Sequence, residues 1–427
     1  MDGGFWLLLA AFLTSSLGTW IYRLALPLLV YDLTGSALGT GLVYVMEYLP
    51  YLALAMFGGV LADRFDRGRV LLLGDTLSGA ISAVLAVVVS VRVRQLWPIY
   101  LVALLLAAVD PLYQPAFRAM VPSLVRPERL PQANARIHIG EHAVNMAGPV
   151  AGGALVVAFG YQVAVYADAG TFLLSALLIA LIGRFRRQEG GPSGRVQDES
   201  GARRASVGAD IGEGLRFLLH GGRAVLTTAL ISLACNFGVW LLLADLVYYL
   251  SSYHGFTPGE IGAVYAFQGA GAVAGALLGG RLVRRCPPAR LISWSAVAGG
   301  VSMLAMIPAR GPVLVGLAWM GQFAGAGTMI VAIATVRQRL IPDHLLGRVL
   351  GTARMIAFSS IPLAALAAGL FESAVRNAYV VMAFAGLSWL AVAGAVTRSP
   401  LRDVEALRDG SEGRRARPAE SPPPDQG

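Results

Sequence analysis

The chain has no lysine: all 34 of its basic residues are arginine. In an Ala-rich sequence with 51 glycines, that bias follows from a GC-rich genome rather than from a function. Charge of any kind is scarce. Only 14% of residues are charged, where soluble domains carry about a quarter. With a mean hydropathy of +0.64, the composition excludes a water-soluble globule. Two cysteines, Cys235 inside an apolar run and Cys286 in a short basic loop, allow neither a disulfide framework nor a metal spacing. HExxH, a nucleophile elbow and a P-loop are all missing, so no catalytic centre, metal or cofactor is indicated, and the chain by itself is not an ATP-driven pump. The net charge of +9 does not point to nucleic acid. That would need arginines gathered on one face of a folded domain, and here they sit in short loops between apolar runs.

Those runs dominate what is present. A bilayer core takes roughly 20 residues of helix. Apolar stretches of that order fall at 5–31, 38–61, 70–91, 97–120, 134–158, 161–184, 224–250, 259–283, 289–308, 312–336, 346–371 and 377–397. The first is too long for the core of a cleavable signal and has no basic residue before it. An all-α membrane protein of twelve transmembrane helices is expected. Arginine placement sets its orientation. With the N-terminus in the cytoplasm, the outer loops hold only Arg92, Arg94, Arg310 and Arg376, two arginines lie inside helices, and the remaining 28 are inner. Both termini are therefore expected inside.

Four regions are read along the chain: a six-helix bundle at 1–187, a cytoplasmic linker at 188–223, a second six-helix bundle at 224–398 and a disordered cytoplasmic tail at 399–427. The linker is rich in Gly, Ser and charge up to residue 210. Its last part, 211–220, reads as a short amphipathic helix lying on the membrane, with Leu215, Leu218 and Leu219 as one apolar face. The two bundles repeat each other. Gly58, Gly59, Leu61, Arg64 and Arg69 recur at one constant offset as Gly279, Gly280, Leu282, Arg285 and Arg290. Val121-Pro122 after the fourth run is echoed by Ile341-Pro342 after the tenth. Two parallel repeats imply a substrate site between them at mid-membrane.

The loop GGVLADRFDRGR, from Gly58 to Arg69, resembles the signature of the major facilitator superfamily between its second and third helices. The resemblance extends over nearly the whole chain. Tyr22-x-x-Ala25-Leu26, Tyr31-Asp32-Leu33-Thr34-Gly35-Ser36, Pro115-Ala116, Val121-Pro122, Ala133-Asn134, Asp168-Ala169-x-Thr171-Phe172-Leu173 and Gly347-Arg348-Val349 are similar to its bacterial macrolide-efflux-like and enterobactin-exporter-like branch. There are departures. Thr19 stands where many relatives are acidic, the second copy of the loop lacks its aspartate, and the antiporter signature on the fifth helix is reduced to Gly148-Pro149-x-x-Gly152-Gly153. The resemblance implies a monomeric transporter of the bacterial inner membrane that exports an amphiphilic small molecule, such as a drug or macrolide-like compound, in exchange for protons. A dedicated exporter of a self-made siderophore or antibiotic shares this fold. A non-transporting membrane sensor or scaffold is the reading of another class.

Residues for such a cycle follow. Asp63, with Gly58, Gly59, Arg64, Arg67 and Arg69 around it, leaves the membrane beside a positive cluster. It can pair with Arg67 or face the first turn of the eleventh helix, near Asp343, where free N–H groups favour an anion. Such a contact would latch the inner gate. Ionisable groups inside membrane helices are costly and usually face a cavity; here they are Arg23, Glu47, Asp75, Asp110, Glu141, Asp168, Asp245 and Arg354. Asp75 and Asp245 lie about a turn from helix ends and are expected at the solvated interface. His138, Glu141, Asn145, Gly148 and Gly152 step by three or four and share one helical face. Glu141 is thus the first choice for the proton carrier, with Glu47 and Asp110 in reserve. Arg23 and Arg354 stay charged and are expected to pair with carboxylates, Glu141 among them, or else to attract an anionic substrate, and Asp168 to pair or cap across helices. Trp20, Tyr22, Tyr44, Tyr48, Tyr113, Trp240 and Phe267 are expected to line an amphiphilic cavity. Topology is directly testable: reporter fusions after Gly190 and after Arg408 should both report cytoplasm, and a periplasmic signal at either point would overturn the orientation.

Overall fold

A helix in lipid satisfies its own backbone polar groups, and this decides the secondary structure before any packing does. The computed structural model describes residues 3–91, 95–188 and 207–401, excluding the side chains of 52, 53, 55–64, 183–188, 207–211, 221, 343 and 344. The described part of the chain is helical throughout. Its helices are α1 (Gly3–Thr34), α2 (Ala37–Arg64), α3 (Arg67–Ser90), α4 (Trp97–Met120), α5 (Leu130–Gln188), α6 (Val207–Arg216), α7 (Arg223–Ser252), α8 (Pro258–Leu282), α9 (Pro288–Ala305), α10 (Gly311–Leu340), α11 (Asp343–Val375) and α12 (Ala378–Val396). Nine described stretches are long and apolar enough to cross a bilayer. One of these, α5, is two spans: Gly160, at φ 81° and ψ 174°, turns the chain back on itself, a conformation open to glycine alone. With α2 and α9 the spans number twelve, and an even number returns both termini to one side. We call that side the near face and the opposite side the far face.

Local chemistry sets the ends. Asp66 caps α3 by accepting from Arg69 N at 2.9 Å. Thr257 and Glu260 form a reciprocal capping box on α8. Prolines at 98, 288 and 312 sit in the first turns of α4, α9 and α10, where no backbone donor is lost.

The packing repeats with the sequence. In the first half α2 packs on α4, α3 on α4 and on the second arm of α5, and α1 on α5. In the second half α8 packs on α10, α9 on α10 and α12, and α7 on α11 and α12. Each contact in one half has its counterpart six spans later, so the fold is two parallel six-helix repeats. Between halves, α5 meets α8 and α2 meets α11, two contacts related by the same exchange. Residues on the pseudo-twofold axis meet their own counterparts. Tyr44 and Tyr265, 221 positions apart, share a hydroxyl hydrogen bond of 3.2 Å. Tyr31 and Ser252, again 221 apart, do so at 2.8 Å. Gly58 and Gly279 in the sequence repeat stand at this same offset.

Every one of these inter-half contacts lies at the far face or mid-membrane. A Cβ on Gly153 would lie 2.4 Å from the Pro258 carbonyl oxygen, and one on Gly262 2.5 Å from that of Pro149. A Cβ on Gly41 would lie 2.9 Å from Ala365 O, and one on Gly369 2.7 Å from Leu38 Cα. Small residues thus let backbones touch, the usual means of helix association in lipid. The molecule is closed at the far face.

Two elements differ from expectation. The segment after the linker is helical from Val207 and ends in a π-turn at Phe217–Gly221. Only Leu218 of its three leucines is buried, against Val225, Ile341 and Val349, while Leu215 and Leu219 face outward. Gly214 packs on Arg348 O of α11, and Glu213 pairs with Arg348. The helix therefore docks on α7 and α11 through Gly214, Leu218 and an ion pair, and leaves Leu215 and Leu219 exposed. Second, Asp245 is not solvated; it is 1% exposed. It shares with Leu242, Leu246 and Tyr249 the stripe of α7 that is fully buried in the second half, so its distance from the helix end is overruled by its helical phase. The linker at 189–206 and the tail at 402–427 lie outside the described residues.

Gly153→Leu should open the far face, because overpacking such a contact costs about 1–3 kcal/mol. A Tyr31→Cys/Ser252→Cys pair, bridged by a short bifunctional reagent, measures this. Efficient bridging in the parent and its loss with Gly153→Leu are expected; equal bridging in both would show that this backbone contact does not hold the halves together.

Candidate functional site

A cavity of about 790 Å³ runs from mid-membrane toward the near face. Every residue lining it belongs to the first half except Arg354 of α11, so it is skewed away from the expected place between the repeats. Small polar residues of α1 and α3, Ser15, Ser16, Thr19 and Ser78, make the room. In the second half Trp319 and Trp389 are both fully buried.

The expected polar residues converge here. Trp20, Arg23, Glu47, Tyr48, Asp110, Tyr113, His138, Glu141, Asn145 and Arg354 all line the one cavity, as does Tyr22. The α5 face is as its spacing predicts. Gly148 is in contact with Trp20 and Gly152 with Ile21 of α1, and Trp20 Nε1 donates to Asn145 Oδ1 at 2.6 Å. The pairing differs from expectation. Arg23 pairs with Glu47 of α2 and also lies 5.8 Å over the Trp20 ring. Glu141 pairs with His138 one turn below, at 2.8 Å, with side-chain exposures of 26% and 56%. It thus stands at the open mouth of the cavity and is not a buried partner of either arginine. Arg354 has no ion pair among the described residues and sits 5.0 Å over the Phe358 ring. Asp110 is exposed and accepts from Gln114 at 3.3 Å.

Three aromatic residues expected in the cavity are not there. Tyr44 is buried at its closed end, bonded to Tyr265. Trp240 stands edge-on to Tyr48 at 4.5 Å and to Tyr44 at 6.3 Å, behind the wall rather than in it. Phe267 packs flat on Gly316 of α10. All three belong to the seal or to the core, where the pseudo-twofold contact and a facing glycine supply better burial than an aqueous wall does.

Asp75 was expected at a solvated interface and is instead 1% exposed, at the cavity wall. Leu71, Asp75, Ser78 and Ser82 form one buried stripe of α3, facing the second arm of α5. The two helices exchange partners: Ser175 donates to Asp75, and Ser82 donates to Asp168 at 2.7 Å. Asp168 thus pairs with a hydroxyl, not with a charge. Asp75 also accepts from Tyr113 at 3.4 Å. The sequence signal is the matched spacing of Asp75 with Ser82 and Asp168 with Ser175, seven residues in each helix, one polar stripe answering another. The side chains of Asp63, Arg64 and Asp343 and the glycines at 58 and 59 lie outside the described residues. Of that loop, Arg67 donates to Ala119 O of α4 at 2.9 Å, and Arg69 is exposed.

Residues 8–365 and 228–421 each match the family described as Major Facilitator Superfamily. The chain is similar to the multidrug efflux pump Tap of Mycolicibacterium fortuitum, 30% identical over 373 residues that span 85% of this chain and 88% of that protein. It is also similar to the enterobactin exporter EntS of Shigella boydii, 28% identical over 354 residues that span 80% and 79% of the two. Among solved structures it shares the fold of the nucleoside transporter NupG, with a TM-score of 0.76 at 12% identity over 93% of this chain and 99% of that one.

The Arg23–Glu47 pair is the charge contact that joins α1 to α2 across the cavity wall. Removing one partner strands the other in a desolvated site. Glu47→Gln should destabilise the purified protein by on the order of 1–3 kcal/mol, read as a lower unfolding temperature. The Arg23→Gln/Glu47→Gln double variant should recover part of that. Strictly additive losses would show that the two side chains do not act on each other.

Proposed function

The chain belongs to the major facilitator superfamily, a family of transporters and not of enzymes, and on that premise we propose that it exports an amphiphilic small molecule in exchange for protons. The observation that carries the reading is a polar, carboxylate-bearing cavity, closed at one face and open at the other. The arginine asymmetry of the loops supports a cytoplasmic near face, in a bacterial inner membrane with both termini inside. In this state the cavity loads from the cytoplasm. Transport requires the halves to rock, so that the far-face contacts open as near-face contacts form. The family has no ATP site in this chain to draw on, so an ion gradient must supply the work. Carboxylates at the cavity, and no cluster of three or more His, Cys, Asp or Glu side chains among the described residues, support protons over a coordinated metal cation.

The likeness to Tap supports a broad amphiphilic substrate range. The likeness to EntS supports the narrower second reading, export of one self-made siderophore, and Arg354, unpaired by any carboxylate in the cavity, suits the anionic groups of such a ligand. The protein works as a monomer on this reading. The two bundles, 1–187 and 224–398, act as the rocking bodies, with the linker at 188–223 between them and the tail at 399–427 dispensable. Asp63, within Gly58, Gly59, Arg64, Arg67 and Arg69, latches the near face when it closes.

Proteoliposomes under an imposed pH gradient test the reading, with a panel of fluorescent amphiphilic dyes and macrolides competing against a catecholate siderophore. Accumulation of at least one compound should collapse with a proton uncoupler, and Asp63→Asn should slow it without loss of insertion. Flux indifferent to the uncoupler would remove antiport. Absence of flux for the whole panel would leave the sensor or scaffold reading.

A further inference from the structure

We propose that Asp75 is the carboxylate that binds the transported proton, and that Tyr113 connects it to the cavity. The inference rests on the proton-antiport reading and names its ion site.

Four carboxylates line the cavity: Glu47, Asp75, Asp110 and Glu141. Three of them have partners of another kind or stand open to the cavity. Glu47 is held by Arg23. Glu141 is held by His138 at a partly open mouth. Asp110 is exposed to the cavity beside the Gln114 amide. Asp75 alone is buried, at 1% exposure, and among the described residues no ion pair reaches it. Its partners are two hydroxyls, Ser175 and Tyr113. An arginine or an amide N–H only donates, so it serves a carboxylate and opposes the acid. A hydroxyl donates to the carboxylate and, by turning, accepts from the acid. The same two side chains can therefore satisfy Asp75 in both states with no helix moving, which is what reversible proton binding requires. In an apolar slab the neutralising partner of such a group is the proton itself.

The surroundings agree. From α4 the one titratable group facing Asp75 is Tyr113. From the second arm of α5 it is met by Ser175, while the acid of that arm, Asp168, lies two turns away and is bonded to Ser82. From α2 the nearest acid, Glu47, is already paired with Arg23. Asp168 is buried in the same manner but does not line the cavity, so it has no comparable path to water. Tyr113 does line it. Its ring packs where a Cβ on Gly74 would lie, 2.9 Å from Tyr113 Cδ2, and this brings the phenol over the residue next to Gly74. A proton from cavity water forms the O–H bond on a carboxylate oxygen of Asp75, with Tyr113 turning from donor to acceptor. The reverse step returns it to water. α3 also carries the result outward. Two turns below Asp75, Arg67 holds Ala119 of α4, within the loop proposed to gate the near face. The Tyr113–Asp75 hydrogen bond itself joins α4 to α3, so loading Asp75 reverses the direction of a bond on the helix that this loop begins.

Asp75→Asn keeps the size and the hydroxyl contacts but cannot take up the proton. In the proteoliposome assay, with whichever compound of the panel the parent accumulates, gradient-driven accumulation should fall by about 5–150-fold, the usual span of coupling between sites. Exchange without a gradient should persist. A parent that shows no response to the gradient would sink antiport itself; a parent that responds together with an Asp75→Asn that responds equally would sink only the assignment of Asp75. A second measurement needs no active variant. Infrared difference spectra of the purified protein between high and low pH should show a protonated-carboxyl band that moves in Ser175→Ala and in Tyr113→Phe. A band indifferent to both variants would overturn the proposal.

Discussion

Backbone contact at the far face governs the rest of this structure. Where Pro149 and Gly153 of α5 meet Pro258 and Gly262 of α8, any side chain larger than hydrogen would force the halves apart. The related contact of Gly41 and Gly369 with the facing backbones of α11 and α2 closes the other side of the same seam. Lipid offers no hydrophobic drive between helices, so association depends on such close approach. Because, among the described residues, this close approach between the halves lies at the far face, the cavity is open toward the other. The tyrosine pair on the pseudo-twofold axis, Tyr44 with Tyr265, lies just inside the seam and ends the cavity there.

Charge in the apolar slab is the second constraint. A charged side chain at the centre of a membrane helix costs about 2.5–3.5 kcal/mol on insertion scales, so each one present must have a partner or a use. Arg23 and Glu47 answer each other. Asp75 and Asp168 answer two serines on facing helices, in a reciprocal exchange that also locks α3 to the second arm of α5. Asp245 and Glu372 lie buried near the far face. Both oxygens of Asp245 and Oε2 of Glu372 lack a partner among the described residues, and Tyr253 bonds the remaining Glu372 oxygen at 3.0 Å. The polar interior is thus divided. Paired charges and hydroxyl-bound acids line the cavity of the first half, while the second half buries Trp319 and Trp389 together with Asp245 and Glu372.

Much of this was legible in the residues, and the misses have two causes. The twelve spans, the break at Gly160, the face shared by His138, Glu141, Asn145, Gly148 and Gly152, and the set of ionisable residues near the cavity all follow from period and composition, which act within one helix. Asp75 and Asp245 were misjudged because distance from a helix end stood in for helical phase. Each lies on a stripe of buried residues spaced by three and four, and that spacing was available. Tyr44, Trp240 and Phe267 were misplaced for another reason. An aromatic residue suits a cavity wall, a seal and a core equally, and its own helix does not distinguish them.

What the sequence alone determined is whatever a single helix or a single loop enforces. It determined the number and length of the spans, because lipid demands internal hydrogen bonding; the doubling of the fold, because the loops repeat at a constant offset; and the supply of charges, because each is exceptional in an apolar run. Tertiary structure decided who pairs with whom. Arg23 takes Glu47 rather than Glu141, Asp75 meets Ser175 and Tyr113, and the cavity belongs to one half, because these outcomes depend on which faces of separate helices come within about 3 Å of each other. A hydrogen bond between positions 75 and 175 leaves no trace in the periodicity of either helix by itself. Only the fold brings the two stripes together.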